Sequence, residues 1–105
     1  MRADVPLVSV LMPVRNEERF LPAALASLRA QTFRDWELVA VDDHSTDRTA
    51  AILERAAGED RRIRMLRPPE RGLVPALNAG LAACKAPLVA RMDGDDICHP
   101  RRLEK

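Results

Sequence analysis

The segment Val8 to Val14 (VSVLMPV) is apolar at nearly every position. A strand with one face in water alternates apolar and polar side chains. A strand that does not alternate is buried on both faces, the situation inside a parallel sheet covered by helices. Glu37 to Asp42 (ELVAVD), Ile63 to Leu66 (IRML) and Leu88 to Met92 are further short strand-like runs. Pro13 lacks an N–H and should end the ladder of the first strand.

The intervals between these runs carry helical spacing. Arg19 to Gln31 places Leu21, Leu25 and Leu28 on one face, and Pro22 is tolerable only near the first turn. Ser45 or Asp47 is positioned to cap a second helix that buries Ile52, Leu53 and Ala56, with Gly58 as its stop. Pro68, Pro69 and Gly72 mark a loop. Leu73 to Ala83 forms a third helix, with Leu73, Leu77 and Leu81 at four-residue spacing, and Pro100 sits where a fourth would start. Strands alternating with helices predict an α/β fold: a Rossmann-like three-layer sandwich with a mostly parallel sheet and right-handed crossovers.

At 105 residues and 47% hydrophobic, the chain fits one domain, residues 1–105. A net charge of +1 gives no general attraction to nucleic acid or anionic membrane. No apolar run approaches the roughly 20 residues needed to span a bilayer. Cys84 and Cys98 fit neither a disulfide framework nor a zinc site. They read as free thiols, which sets a reducing, cytoplasmic compartment as the default.

In open parallel sheets, ligands bind beyond the carboxyl ends of the strands. Three of those ends are conspicuously polar: Arg15-Asn16-Glu17, Asp42-Asp43, and Asp93-Gly94-Asp95-Asp96. Five of nine aspartates lie at such tips. Three carboxylates within four residues repel one another unless a divalent cation such as Mg²⁺ or Mn²⁺ relieves them, and such an ion keeps positions open for substrate phosphates. The bland reading is an acidic, helix-capping turn. Asp42 and Asp43 are either a capping loop or the acceptor for a base imide N–H, and the sequence does not choose between them. The arginines between Arg55 and Arg71 read mostly as a solvated face. Arg71, next to Gly72, is the exception, able to reach a phosphate. His44 and His99 have no partner at metal-ligand spacing and read as surface or capping residues.

Taken in order, VSVLMPVRNEERFLPAALASLRAQTF, WELVAVDDHSTDRTAAIL and RGLVPALNAGLAACKAPLVARMDGDDICHPRRLEK resemble the family-2 glycosyltransferases of the GT-A fold. The resemblance covers nearly the whole chain and implies strand order 3-2-1-4. It implies that Pro13, Val14, Arg15, Asn16 and Glu17 cradle a nucleotide base, with Asp42 or Asp43 on uracil. It also implies that Arg71 and Asn78 line the donor pocket. Asp93-Gly94-Asp95 matches the DXD-type motif, with Asp95 as metal ligand, Asp93 on ribose or metal, and Asp96 in support; the ion is Mn²⁺ or Mg²⁺. Arg15 replaces the aromatic that many relatives carry, and a guanidinium can still stack on a base.

The implied activity is transfer of a sugar from a nucleoside diphosphate, UDP first among the candidates, to an acceptor hydroxyl on a glycan, lipid or other compound, with inversion. The parent enzyme would be cytoplasmic or peripheral at the inner face of the membrane. Family members continue past the DXD motif into acceptor loops and a general base, so the chain is expected to be a truncated donor half, inactive alone. The fourth strand would then be an unpaired edge, which predicts a homodimer or larger oligomer. Two other readings compete: a non-catalytic nucleotide-binding or self-associating module, and a receiver-like phosphoacceptor domain. The receiver pattern sets its acidic pair after the first strand and a lysine after a late one. Here the pair follows the second strand and Lys85 precedes the fourth.

Overall fold

The computed structural model describes residues 6–92. Four strands, β1 (Val8–Val14), β2 (Trp36–Asp42), β3 (Ile63–Leu66) and β4 (Leu88–Arg91), alternate with three helices, α1 (Leu21–Arg29), α2 (Thr49–Glu59) and α3 (Leu73–Ala83). All pairings are parallel and the order is β3-β2-β1-β4. The expected α/β fold and strand order are both found.

The two-residue period of the central strands sorts their side chains into two cores. Val8, Val10, Met12 and Val14 of β1, with Trp36, Leu38 and Ala40 of β2, face Leu21, Leu25 and Leu28 of α1 and Leu53 and Ala56 of α2. Leu11, Val39 and Val41 point the other way, against Ala76 of α3. The sheet is therefore covered on both faces, as the unalternating apolar run required.

Pro13 ends only half of the ladder. Pairing with β4 runs no further than Leu11 and Arg91, with Met92 N–H on Leu11 O at 3.0 Å. Pairing with β2 continues through Pro13 and Val14. Alternate residues of a strand bond to opposite neighbours, so the missing N–H costs only the β4 side.

Four local expectations are corrected. Helix α1 begins at Leu21, not Arg19, and ends at Arg29, so Pro22 sits within its first turn, where no N–H is needed. Gly58 lies inside α2, which runs on to Glu59 and gives way to an extended Asp60. Of the spaced leucines of α3 only Leu77 packs partly against the core; Leu73 and Leu81 are exposed, and the buried positions are Ala76 and Gly80. A Cβ on Gly80 would overlap Leu11 Cδ1 and stand 3.0 Å from Val41 Cγ2, so the helix needs small residues to lie close on the sheet.

The arginine-rich stretch, fourth, is a solvated face only in part: Arg55, Arg61, Arg67 and Arg71 are exposed, but three of its arginines have specific partners. Arg62 pairs with Asp60 at 2.9 Å and stacks on the buried Trp36 ring at 3.9 Å. Arg64 pairs with Glu37 at 2.8 Å, and Arg67 with buried Asp42 at 2.9 Å. The Arg62 guanidinium, helped by its amide and by Arg29, holds the Asp60 carboxyl below its usual range against the opposing effect of burial. Cys84 is a half-buried free thiol, as expected, and burial pushes its pKa up. Cys98, His99 and Pro100 lie outside the described residues.

Candidate functional site

Parallel strands deliver all their carboxyl ends to one edge of the sheet, and the loops after β1, β2 and β3 meet there. The β2 loop is the hub. Asn16, at φ 53°, turns the chain after β1 in the left-handed region. Its N–H donates to Ser45 Oγ at 2.9 Å, and its Oδ1 accepts from Thr46 N–H at 2.8 Å. Glu17 N–H donates to Thr49 Oγ1 at 2.8 Å and Glu18 N–H to Asp47 Oδ2 at 3.3 Å. Ser45 and Asp47 were expected as caps of α2. Arg48, at the N-cap position, makes no side-chain cap bond, but Asp47 Oδ1 accepts the first helical amide, Thr49 N–H, at 2.9 Å, and the side chains of Ser45 and Asp47 also tie the β1 loop to the β2 loop.

Asp47 also accepts from the N–H and hydroxyl of Thr49. Desolvation opposes its ionisation, but these bonds and the Glu18 amide hold its carboxyl below the usual range.

The β2 loop also grips the β3 loop. His44, a non-glycine residue at φ 54°, shares a hydrogen bond of 2.9 Å between Nε2 and Pro68 O. It is a bridge between loops rather than a surface or capping residue. Arg67 Nε donates to Asp42 Oδ2 at 2.9 Å, and its NH2 group to Ser45 O at 3.4 Å. Gly72 N–H donates to Asp43 Oδ1 at 2.9 Å. Gly72 lies at φ 109°, a conformation that L side chains rarely adopt, and it leads directly into α3.

These contacts separate the two candidate aspartates. Asp42 is fully buried; Oδ2 is paired with Arg67 and Oδ1 receives Ser45 N–H at 3.4 Å. Asp43 is 9% exposed and uses Oδ1 on Gly72, while Oδ2 has no protein partner among the described residues. Arg15 and Arg71 are exposed at the same edge, with no ion pair among the described residues.

Among the predicted site residues, Pro13, Val14, Arg15, Asn16, Glu17, Asp42, Asp43 and Arg71 are thus brought to one edge. Pro13 and Val14 are still within β1, registered against Val41 and Asp42. Asn78 is exposed farther along α3, in its second turn, and joins none of these bonds. Asp93, Asp95 and Asp96 lie outside the described residues; Met92, the last described, is buried and bonded to β1 at this same edge. Among the described residues no three His, Cys, Asp or Glu side chains are grouped to hold a metal. Sequence reasoning did not single out Arg67, His44 or Thr49 for this edge. Their only signal was proximity to strand tips.

The family model for Glycosyl transferase family 2 matches residues 9–105. EpsE of Bacillus subtilis (strain 168) is 40% identical over 102 residues, covering 95% of this chain and 37% of EpsE. Residues 1–349 of S. aureus TarS superpose with a TM-score of 0.84 at 29% identity, covering 92% of this chain and 30% of that one. The same TarS fragment is known in complex with UDP-GlcNAc, at a TM-score of 0.82 and 28% identity, covering 92% of this chain and 29% of that one. The mannosyltransferase PcManGT from Pyrobaculum calidifontis, in complex with GDP-Man and Mn²⁺, gives a TM-score of 0.81 at 29% identity, covering 93% and 30%. This chain therefore spans about a third of the length of EpsE and of the TarS fragment. With its parallel β3-β2-β1-β4 sheet and a family match running almost from end to end, the chain belongs to glycosyl transferase family 2.

Proposed function

We propose that this edge binds the nucleotide of a nucleoside-diphosphate sugar, and that the chain is the donor-binding half of a longer enzyme that transfers the sugar to an acceptor hydroxyl with inversion. The observation that carries the reading is the half-used carboxylate of Asp43. One oxygen is fixed by Gly72 N–H, and the other is left to accept an imide or amide N–H of a base. Asp42, already paired with Arg67, instead holds the β3 loop in place. Arg15 stacks on or flanks the base, and Arg71 meets the diphosphate beside the uncapped start of α3, where helix amides favour oxygen anions. Asn78 lines the far side of the pocket.

A divalent cation, Mn²⁺ or Mg²⁺, is assigned to Asp93 and Asp95 on the chemistry of the Asp-x-Asp run. Clustered carboxylates need a cation, and a hard ion bridges them to phosphate oxygens. TarS bound to UDP-GlcNAc and PcManGT bound to GDP-Man and Mn²⁺ support a nucleotide-sugar donor and leave uracil and guanine both open as the base. The acceptor site and general base belong, in this reading, to the parent enzyme. No described helix is long and apolar enough to cross a membrane, and a cytoplasmic site, peripheral to the membrane in the parent, is part of the proposal. Leu88 and Val89 are exposed on β4, the edge among the described strands, which supports self-association there. A strictly monomeric mass by light scattering at high concentration would exclude it.

Calorimetric titration with UDP and GDP, each with and without Mn²⁺, tests the assignment. Metal-dependent binding is expected, and Asp95→Ala should abolish its metal dependence without lowering the melting temperature. Wild-type ligand response in that variant would remove Asp95 from the metal site. Multiple-turnover sugar transfer by the chain alone would overturn its assignment as a donor half.

A further inference from the structure

Strand β4 is the least supported of the four. Among the described strands it pairs only with β1, over four residues. Leu88 is 64% exposed and Val89 46%, although they point to opposite faces. Register is normally fixed by which face is buried, and a strand exposed on both faces receives little of that information. A one-residue slip would move Met92, which follows β4, by about 3.3 Å along the sheet. Met92 is buried beyond the far end of β4 and anchors one side.

The near end is held by a polar cluster at the opposite edge of the sheet from the ligand loops. Glu37, near the start of β2, is 6% exposed. Its Oε2 accepts from Ser9 Oγ of β1 and from Lys85 N–H at 2.7 Å. Ser9 Oγ in turn accepts from Ala86 N–H at 3.0 Å. Glu37 Oε1 accepts from Arg64 of β3 at 2.8 Å, and the same Arg64 NH2 group reaches Ala83 O, at the end of α3, at 2.6 Å. Residues 83–86, the connection from α3 into β4, are thus fixed at one carbonyl and two amides by side chains of the other three strands. Burial opposes ionisation of Glu37, but Ser9, the Lys85 amide and Arg64 outweigh it and hold its carboxyl below the usual range.

We propose that Glu37, acting through Ser9, is a positioning residue: it sets the register of β4 on β1, and thereby where Met92 meets the ligand edge. The register claim stands on the hydrogen bonds alone. Its consequence for ligand binding rests on the nucleotide-sugar reading above.

Hydrogen exchange on the whole chain separates this role from general stabilisation. In Glu37→Gln and Ser9→Ala, amides of residues 84–92 should exchange about tenfold faster or more, the factor expected for loss of one well-made buried bond. Amides of residues 37–42 should keep their wild-type protection. Uniform acceleration across both segments, or none in 84–92, overturns the proposal. Ser9→Ala, which leaves the Glu37–Arg64 pair intact, decides the matter if the glutamine variant does not fold.

The same variants are then titrated with UDP and Mn²⁺. Weaker binding in proportion to β4 exchange is expected. A wild-type chain that binds neither UDP nor GDP would sink the reading of the ligand site and leave the register result standing. A variant with loosened β4 and wild-type affinity would remove the positioning role.

Discussion

Strand β2 carries acidic side chains at both ends, and the two ends use them differently. Near its start, Glu37 has both oxygens bonded to protein groups, in a cluster that joins β1, β2 and β3 to the connection leading into β4. At its end, Asp42 is likewise saturated, but the next residue, Asp43, keeps one oxygen free among the described residues. Buried carboxylates are stable only when hydrogen-bonded or paired. A carboxylate at the protein surface edge with an unfilled acceptor has chemistry left to offer. The difference teaches that a partial hydrogen-bond complement, rather than an acidic residue as such, distinguishes the site from the scaffold.

The comparison can be broken most severely at the scaffold end. Glu37→Ala removes the shared acceptor of Ser9, Lys85 and Arg64 and leaves a guanidinium without its carboxylate. Loss of about 3–5 kcal/mol of stability is expected, in the range for breaking a buried pair, and chemical denaturation would measure it. A loss below about 1 kcal/mol would show that the cluster does not hold the fold together.

Acid sharpens the same point. The folded state holds the Glu37 carboxyl below the roughly 4.3 expected of an unfolded glutamate. Its stabilisation is therefore complete above that value and is lost as pH falls through the lower folded value. Asp60 and Asp47 act in the same direction. Melting temperature should fall with pH in that acid window, and less steeply in Glu37→Gln.

At the site end, Asp43→Asn should leave the fold nearly unchanged, because an amide oxygen still accepts Gly72 N–H. It places an NH₂ donor where the proposed site offers an acceptor to the base, so nucleotide affinity should drop by about 2–3 kcal/mol, the cost of a buried polar contact left unmade. Calorimetry at constant salt would check this. Unchanged affinity would reassign the base contact, with Asp42 next in line.

Arg71→Ala should have the smallest effect. Its side chain is exposed and unpaired among the described residues, so stability should stay within about 0.5 kcal/mol. Diphosphate binding should weaken by about 1.5 kcal/mol or somewhat more, as for a charge-assisted bond, with little change for the uncharged nucleoside. An equal loss for nucleoside and diphosphate would place Arg71 on the base instead.

Element types and the parallel sheet were legible in the sequence because they depend on local periodicity. The unalternating run Val8 to Val14 demanded cover on both faces, and the polar tips after β1 and β2 marked the edge proposed to bind the nucleotide. The strand order came through the family resemblance rather than from periodicity, and the matching sheet bears it out. The misses share a cause. Leucine spacing in α3 suggested its apolar residues, but its close approach to Leu11 and Val41 selects Ala76 and Gly80 instead. The arginine stretch looked solvated because its partners lie far away in the chain: Glu37 for Arg64, Asp42 for Arg67 and the Trp36 ring for Arg62.

Composition and pattern by themselves thus determined what kind of layers this chain forms and which residues stand at strand tips. Only the tertiary structure decided which of those tips is already satisfied. Asp42 and Asp43 are adjacent and chemically identical, and no local rule separates them. Arg67 and Gly72, brought back to the β2 tip by the crossover through α2 and β3, do so. Likewise, the bond from Ala86 N–H to Ser9 Oγ joins residues 77 positions apart. Such contacts exist only once the sheet has closed, because hydrogen-bond complementarity is a property of neighbours in space.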